Sequence, residues 1–133
     1  MCDFCKIINK EIGAHIVCET THCVAFLDYE PINKGHVLIC PRKHVASIVD
    51  IPDEILMDIN SIVRKLVKVY EKEYGAKSYT IMQNGGECCD YGHFHFHVFP
   101  RYDGDGFGYT QSDVKHEFSK DVSDFLGSKM NEV

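Results

Sequence analysis

Residues 93 to 99 read His-Phe-His-Phe-His-Val-Phe. Successive side chains of a strand point to opposite faces, so His93, His95 and His97 share one face while Phe94, Phe96 and Val98 pack on the other. The intervening apolar residues anchor the segment, which makes this alternation the strongest constraint on the fold. Imidazoles about 7 Å apart along one strand are costly to arrange unless they bind, react or orient one another. Ligation of one ion by all three is disfavoured, because a flat strand holds the end histidines too far apart without a bend. Nucleophilic chemistry is a better use of them. A neutral imidazole attacks phosphorus near neutral pH and gives a phosphoramidate-type intermediate that water resolves, while a neighbouring histidine donates to the phosphoryl oxygens or the leaving group. Gly92 leaves room for close backbone approach beside the strand. Asn84-Gly85-Gly86 either brings amides to a phosphate or forms a plain turn.

The rest of the chain supplies a sheet for this strand. Phe4 to Asn9 suits a short helical turn. His15–Glu19 and Cys23–Leu27 read as two strands separated by polar Thr20-Thr21-His22. After a turn through Pro31 and Asn33, His36–Cys40 is a third strand, stopped by Pro41. The clearest helix begins near Pro52, with Asp53 and Glu54 in its first turn, and runs about six turns to Gly75. Ile55, Ile59, Ile62, Leu66 and Val69 form an apolar stripe, widened by Leu56, Val63, Val67 and Tyr70, that packs most simply on a sheet. Ser78–Gln83 and Gly92–Phe99 complete five strands. With one long helix, too few crossovers exist for a parallel sheet, and an α+β domain with a five-stranded antiparallel sheet is expected. Asp103-Gly104-Asp105-Gly106 and the polar tail predict a loop, with a short terminal helix marked by Val122, Phe125 and Leu126. At 133 residues the chain fits one domain, 1–133.

Bulk charge narrows the partners. A formal net charge of −6 argues against broad nucleic-acid binding, yet leaves room for one phosphate held by local donors. The cysteine count is odd at seven, no secretory leader precedes Cys2, and the adjacent pair Cys88-Cys89 is rarely bridged, so free thiols in a reducing compartment are expected. No apolar run reaches the roughly 18 residues of a membrane span, and no targeting segment is visible, which leaves the cytoplasm as the expected location.

These residues resemble the histidine-triad (HIT) nucleotide-binding family, defined by histidines alternating with hydrophobic residues as in His93 to Phe99. The likeness extends through Phe26-Leu27-Asp28, Gly35 to His44 and Pro100-Arg101-Tyr102. It covers about residues 2–106, leaving 107–133 as a tail. The resemblance implies that His95 is the nucleophile and becomes nucleotidylated, that His97 contacts the phosphate or the bridging atom, and that His36 completes the cluster. It implies that Asp28, a carboxylate suited to accepting hydrogen bonds, takes the ribose hydroxyls. Phe4, Ile7, Leu27 and Tyr29 would form the base slot, and Asn84 would lie near the ribose-phosphate. Ile7 and Leu27 also suit a plain core, Asp28 a turn, and His36 a satisfied strand position. Much of the family carries a glutamine and a hydroxyl residue where this chain has Cys89 and Asp90. An ionised Asp90 cannot donate and repels a polyphosphate, which leaves the leaving-group preference open.

Cys2 and Cys5 have the spacing that lets both thiolates reach one metal. The resemblance supplies His44 and His93 as further ligands, giving a structural zinc site with all four positions filled by protein. No catalytic metal is required. Cys18, Cys23, Cys40, Cys88 and Cys89 read as small buried residues or free thiols, and His15, His22 and His116 as surface residues.

The expected activity is a nucleotide hydrolase or transferase acting on the α-phosphate of a purine nucleotide derivative of the phosphoramidate type. Its alternatives are a dinucleoside polyphosphate hydrolase, a zinc-stabilised nucleotide-binding or regulatory protein with little turnover, and an enzyme using the triad as metal ligands. The resemblance further implies a homodimer, with sheets joined across a two-fold axis and the long helix contributing. The small molecule would be the partner, with neither nucleic acid nor membrane involved.

Overall fold

The structure, a computed structural model, describes residues 2–89 and 91–133. A short helix α1 (Asp3–Ile8) leads into strands β1 (Ile16–Glu19), β2 (Cys23–Leu27) and β3 (Val37–Pro41). The long helix α2 (Asp53–Tyr74) crosses to β4 (Ser78–Met82), a single 3₁₀ turn spans Gly86–Cys88, and β5 (Phe96–Arg101) and α3 (Lys120–Met130) complete the chain. The five strands form one sheet in the order β1-β2-β3-β5-β4, and every neighbouring pair is antiparallel. The expected α+β architecture is present: a five-stranded antiparallel sheet, one long helix and short terminal helices.

Strand alternation divides the interior into two layers. Cys23, Ala25, Val37, Ile39, Phe94 and Val98 pack with Ile55, Ile59, Ile62, Val63, Leu66 and Tyr70 of α2 on one face. Val24, Phe26, Leu38 and Cys40 pack with Phe4 on the other. The first layer is apolar and closed by the helix. The second is thin, covered by α1 with Cys2, Ala14 and Tyr91, and is where polar chemistry has room.

Several element boundaries differ from the sequence expectation. Pro41 is the last residue of β3 rather than the residue that stops it, paired with Cys23, and a strand end tolerates a missing N–H. His15 and His36 fall one residue outside β1 and β3. Strand β5 starts at Phe96, not Gly92, and runs on through Pro100. The β3 ladder ends at the pair Ile39–Phe96, and Phe94 N–H donates instead to the Val45 carbonyl at 2.7 Å. Pro100 lies past the last β3 pair and faces Tyr79 of β4, so its missing N–H interrupts no bond to β3. Pro52 caps α2 in an extended conformation instead of starting it. Gly75 ends α2 in the left-handed region that glycine favours, with φ of 64°. Helix α3 is 11 residues long, capped by Ser119, and buries none of its side chains in this chain.

One contact ties α2 to the strands that carry the site. The Tyr70 hydroxyl donates to the carbonyls of Gly35 (2.7 Å) and Val98 (3.1 Å), the residues that flank His36 and His97 in sequence. Gly35 has a φ of +91°, and a Cβ there would sit 2.8 Å from the Tyr74 ring, so both conformation and space demand glycine. Replacing Tyr70 with Phe leaves two carbonyls without this donor. The Tyr70→Phe chain is expected to lose about 1–3 kcal/mol of stability, read as a lower urea midpoint at unchanged slope.

Candidate active site

His95 is 3 % exposed, and its Nδ1 lies 2.7 Å from the backbone carbonyl of His93. A carbonyl only accepts, so Nδ1 carries the proton and Nε2 keeps its lone pair. The ring is held edge-on to Phe4 at 4.9 Å between centroids, with the His97 ring also 4.9 Å away. The extended run before β5 thus delivers an imidazole with a fixed tautomer and a free nucleophilic nitrogen.

His97 stands on β5 opposite Leu38 of β3. Its Nδ1 is 3.0 Å from Nε2 of His36, a residue buried to 1 % exposure. The Ile32 N–H donates to His36 Nδ1 at 3.1 Å, which places the neutral ring's proton on Nε2. That proton is donated to His97 Nδ1, leaving the His97 proton on Nε2. Asp28 Oδ2 lies 3.5 Å from His36 Nε2 and 3.8 Å from His97 Nδ1, while its Oδ1 accepts from the Glu30 N–H at 2.9 Å. Burial pushes His36 below its usual imidazole value, and the Asp28 carboxylate partly offsets this. Asp28, His36 and His97 are close enough to hold a cation, but the Ile32 bond keeps a proton on the His36 nitrogen that a metal would need. The arrangement suits proton storage.

A cavity of about 760 Å³ opens beside this cluster. Phe4, Ile7, Leu27, Asp28 and Tyr29, each a candidate from the sequence, line it. Tyr91, which no sequence motif singled out, also lines it, stacked on Phe4 at 4.6 Å with 25° between ring planes. The only signal of it in the sequence is an aromatic residue two positions before the triad. Asn84 lies on the loop after β4 and is not among the lining residues. Cys89 is also outside the cavity lining, and its thiol points at the His93 carbonyl, 3.8 Å away. Asp90 lies outside the described residues. Of the histidines expected on the surface, His15 is exposed and at the cavity rim, His22 is half-buried, and His116 is exposed.

Cys2, Cys5, His44 and His93 converge, with all four donor atoms within 4.8 Å of one another. The sulfurs are 3.2 Å apart. Their distances to the two Nδ1 atoms run from 3.3 to 3.6 Å, spacings compatible with tetrahedral bonds of roughly 2.0–2.3 Å. The Pro41 carbonyl, 2.8 Å from His93 Nε2, holds the ring proton there and turns the Nδ1 lone pair toward the sulfurs. Burial and the neighbouring Cys2 thiol push the Cys5 thiol up, so a cation is what would favour two thiolates here. The donor chemistry fits a closed structural metal site. Among the described residues no candidate cluster joins His93, His95 and His97, which separates the triad into different duties.

The family model described as HIT domain matches residues 9–104. A HIT-like protein of Methanocaldococcus jannaschii is 46 % identical over 108 residues, which cover 80 % of this chain and 83 % of that one. The adenosine 5′-monophosphoramidase of Schizosaccharomyces pombe is 33 % identical over 134 residues, covering 97 % and 98 %. Among solved structures, a HIT family protein from Bacillus anthracis superposes with a TM-score of 0.88 at 32 % identity, covering 99 % of this chain and 96 % of that one. A zinc-bound histidine triad family protein from Mycobacterium smegmatis superposes with a TM-score of 0.75 at 25 % identity, covering 85 % and 84 %. Among the described residues no helix is long and apolar enough to cross a membrane.

Burial of His36 also makes stability depend on pH. The unfolded chain takes up a proton near the ordinary imidazole value of 6.5, whereas the folded chain resists it. Stability from this residue is therefore complete above that value and is lost as pH falls toward the lower folded value. Urea midpoints at about pH 7.5 and about pH 5.5 are expected to differ less in His36→Asn than in the parent chain.

Proposed function

Because this chain belongs to the histidine-triad (HIT) nucleotide-binding and hydrolase family, we propose that it cleaves a purine nucleoside 5′-phosphoramidate or related derivative through a nucleotidyl-His95 intermediate. The observation that carries this reading is the 2.7 Å bond from His95 Nδ1 to the His93 carbonyl. It keeps the proton on Nδ1 and the lone pair on Nε2, and it would stabilise the positive charge that appears on the ring when Nε2 bonds to phosphorus.

In the first step the Nε2 pair of His95 forms a bond to the α-phosphorus. The bond from phosphorus to the leaving nitrogen breaks, and its electron pair stays with nitrogen, which takes a proton from protonated His97. When His97 is protonated its Nδ1 can no longer accept from His36 Nε2–H, and the Nδ1 proton would turn to Asp28 Oδ2, 3.8 Å away. In the second step water attacks phosphorus, gives its proton to the now neutral His97, and releases nucleoside monophosphate with His95 restored. While His97 is neutral, the bond from His36 Nε2–H to its Nδ1 keeps the ring from turning. Phe4, Ile7, Leu27 and Tyr29 would sandwich the base, and Asp28 can accept from a ribose hydroxyl at the cavity wall it already forms. The adenosine 5′-monophosphoramidase activity named for the Schizosaccharomyces pombe relative supports this substrate class.

Cys2, Cys5, His44 and His93 would hold zinc, which when bound supplies a fixed structural crosslink and no reacting atom. The zinc-bound relative from Mycobacterium smegmatis supports that choice of metal. Pairing of two copies through the open edge of β4 and the outward side of α2 belongs to the same reading. Exposed Tyr79, Ile81 and Val69 give that surface an apolar character. A reducing, cytoplasmic setting agrees with seven unpaired cysteines.

Intact-protein mass after mixing with adenosine 5′-phosphoramidate, alongside AMP release, tests the proposal. The parent chain is expected to show a transient nucleotidyl adduct and turnover. His95→Ala should lose both, and His97→Gln should turn over about 10²- to 10⁴-fold more slowly. A folded parent chain that yields neither adduct nor AMP would overturn the phosphoramidase reading. Cleavage of diadenosine polyphosphates instead would move the assignment to that substrate class, and tight binding without turnover to a regulatory role.

A further inference from the structure

The candidate metal site and the nucleotide cavity meet at Phe4, a base-slot residue that lies between two of the metal-site cysteines in sequence. Phe4 lies between Cys2 and Cys5 on α1 and is 2 % exposed. One side of its ring stacks on Tyr91, and its edges meet Phe26 at 5.3 Å and His95 at 4.9 Å. With Tyr91 it forms part of the cavity wall. The same side chain therefore touches the base slot and the candidate nucleophile.

Helix α1 has little reason to stay in place unaided. It is six residues long, well below the length at which a helix is stable by itself in water. Its N-cap is a metal-site residue: the Cys5 N–H donates to the Cys2 sulfur at 3.3 Å. What fixes α1 is the burial of Phe4, together with Ile7 and Ile8, and the convergence of its two cysteines on His44 and His93. These cysteines and Phe4 precede the stretch matched by the family model, which begins at residue 9. A second link runs through His93, whose ring belongs to the metal cluster while its carbonyl orients His95.

We infer that metal binding at Cys2, Cys5, His44 and His93 is thermodynamically coupled to nucleotide binding, with Phe4 as the positioning residue that transmits the coupling. Without the cation α1 loses its clamp, and Phe4 and Tyr91 cease to define one wall of the base slot. With the cation the wall is preformed, and a nucleotide binds without bearing the cost of ordering it. Coupling of this kind is reciprocal, so the nucleotide must tighten the metal by the factor by which the metal tightens the nucleotide. The inference rests on the nucleotide reading of the cavity.

The test uses the full chain, zinc and AMP. Zinc affinity is measured by competition with a chromogenic chelator, with and without saturating AMP. AMP affinity is measured by calorimetry on zinc-loaded and chelated protein, with circular dichroism reporting whether the chelated chain stays folded. AMP is expected to tighten zinc about 5- to 100-fold, and zinc to tighten AMP by the same factor. Phe4→Leu keeps all four ligands and an apolar side chain but removes the flat ring, and its coupling factor should fall toward unity. Zinc affinity unchanged by AMP in the parent chain would overturn the inference while leaving the proposed function intact. Coupling that persists at full size in Phe4→Leu would also overturn it, since folding of the chain rather than Phe4 would then carry the effect. Failure of zinc-loaded parent protein to bind AMP at all would instead remove the nucleotide reading beneath it.

Discussion

The carbonyl of His93 and the ring of the same residue face in two directions, and the site is organised around that division. The carbonyl accepts from His95 Nδ1, which fixes the tautomer of the candidate nucleophile. The ring donates to the Pro41 carbonyl and turns its other nitrogen toward Cys2 and Cys5. All of this occurs at 0 % exposure, where a lost partner leaves a desolvated polar atom and costs about 1–3 kcal/mol. Position 93 therefore cannot drift without disturbing the N-terminal helix, the end of β3 and the candidate nucleophile together.

The two faces of the sheet explain why chemistry gathers on one of them. Helix α2 seals its face with a continuous apolar layer, which fixes β3 and β5 as a rigid platform. The opposite layer is shallow, and the cavity on it is walled by Phe4, which touches His95, and by Asp28, which lies beside His36 and His97. Burial penalises the charged ring and holds His36 and His93 below the usual imidazole value. Tyr70 connects the two regimes by bonding from the apolar side to Gly35 and Val98, the residues next to His36 and His97.

Proximity alone gives two readings of Asp28, His36 and His97, as a metal site or as a proton-holding group. The Ile32 N–H decides between them, because its bond to His36 Nδ1 fixes which nitrogen keeps a proton. Where the ligands are sulfur and appropriately turned imidazole, as at Cys2, Cys5, His44 and His93, the same reasoning favours a cation. Two histidine clusters on one chain thus present different ring nitrogens because of the backbone groups behind them.

The amino-acid sequence by itself determined the features that periodicity and short-range spacing control. The alternation from His93 to Phe99 assigned faces to the histidines, the apolar stripe of Ile55 to Tyr70 defined the long helix, and Cys2-x-x-Cys5 marked half of a candidate metal site. Local backbone geometry sets all three. Where β5 starts was decided by tertiary structure, because Phe94 finds Val45 instead of β3 as its partner. Which way each imidazole holds its proton was decided there too, by Ile32, Pro41 and the His93 carbonyl. The meeting of Cys2 with His93 joins residues 91 positions apart in the chain, and the stacking of Tyr91 on Phe4 spans a comparable stretch. Contacts of that range depend on how every intervening element packs, and no local pattern encodes them.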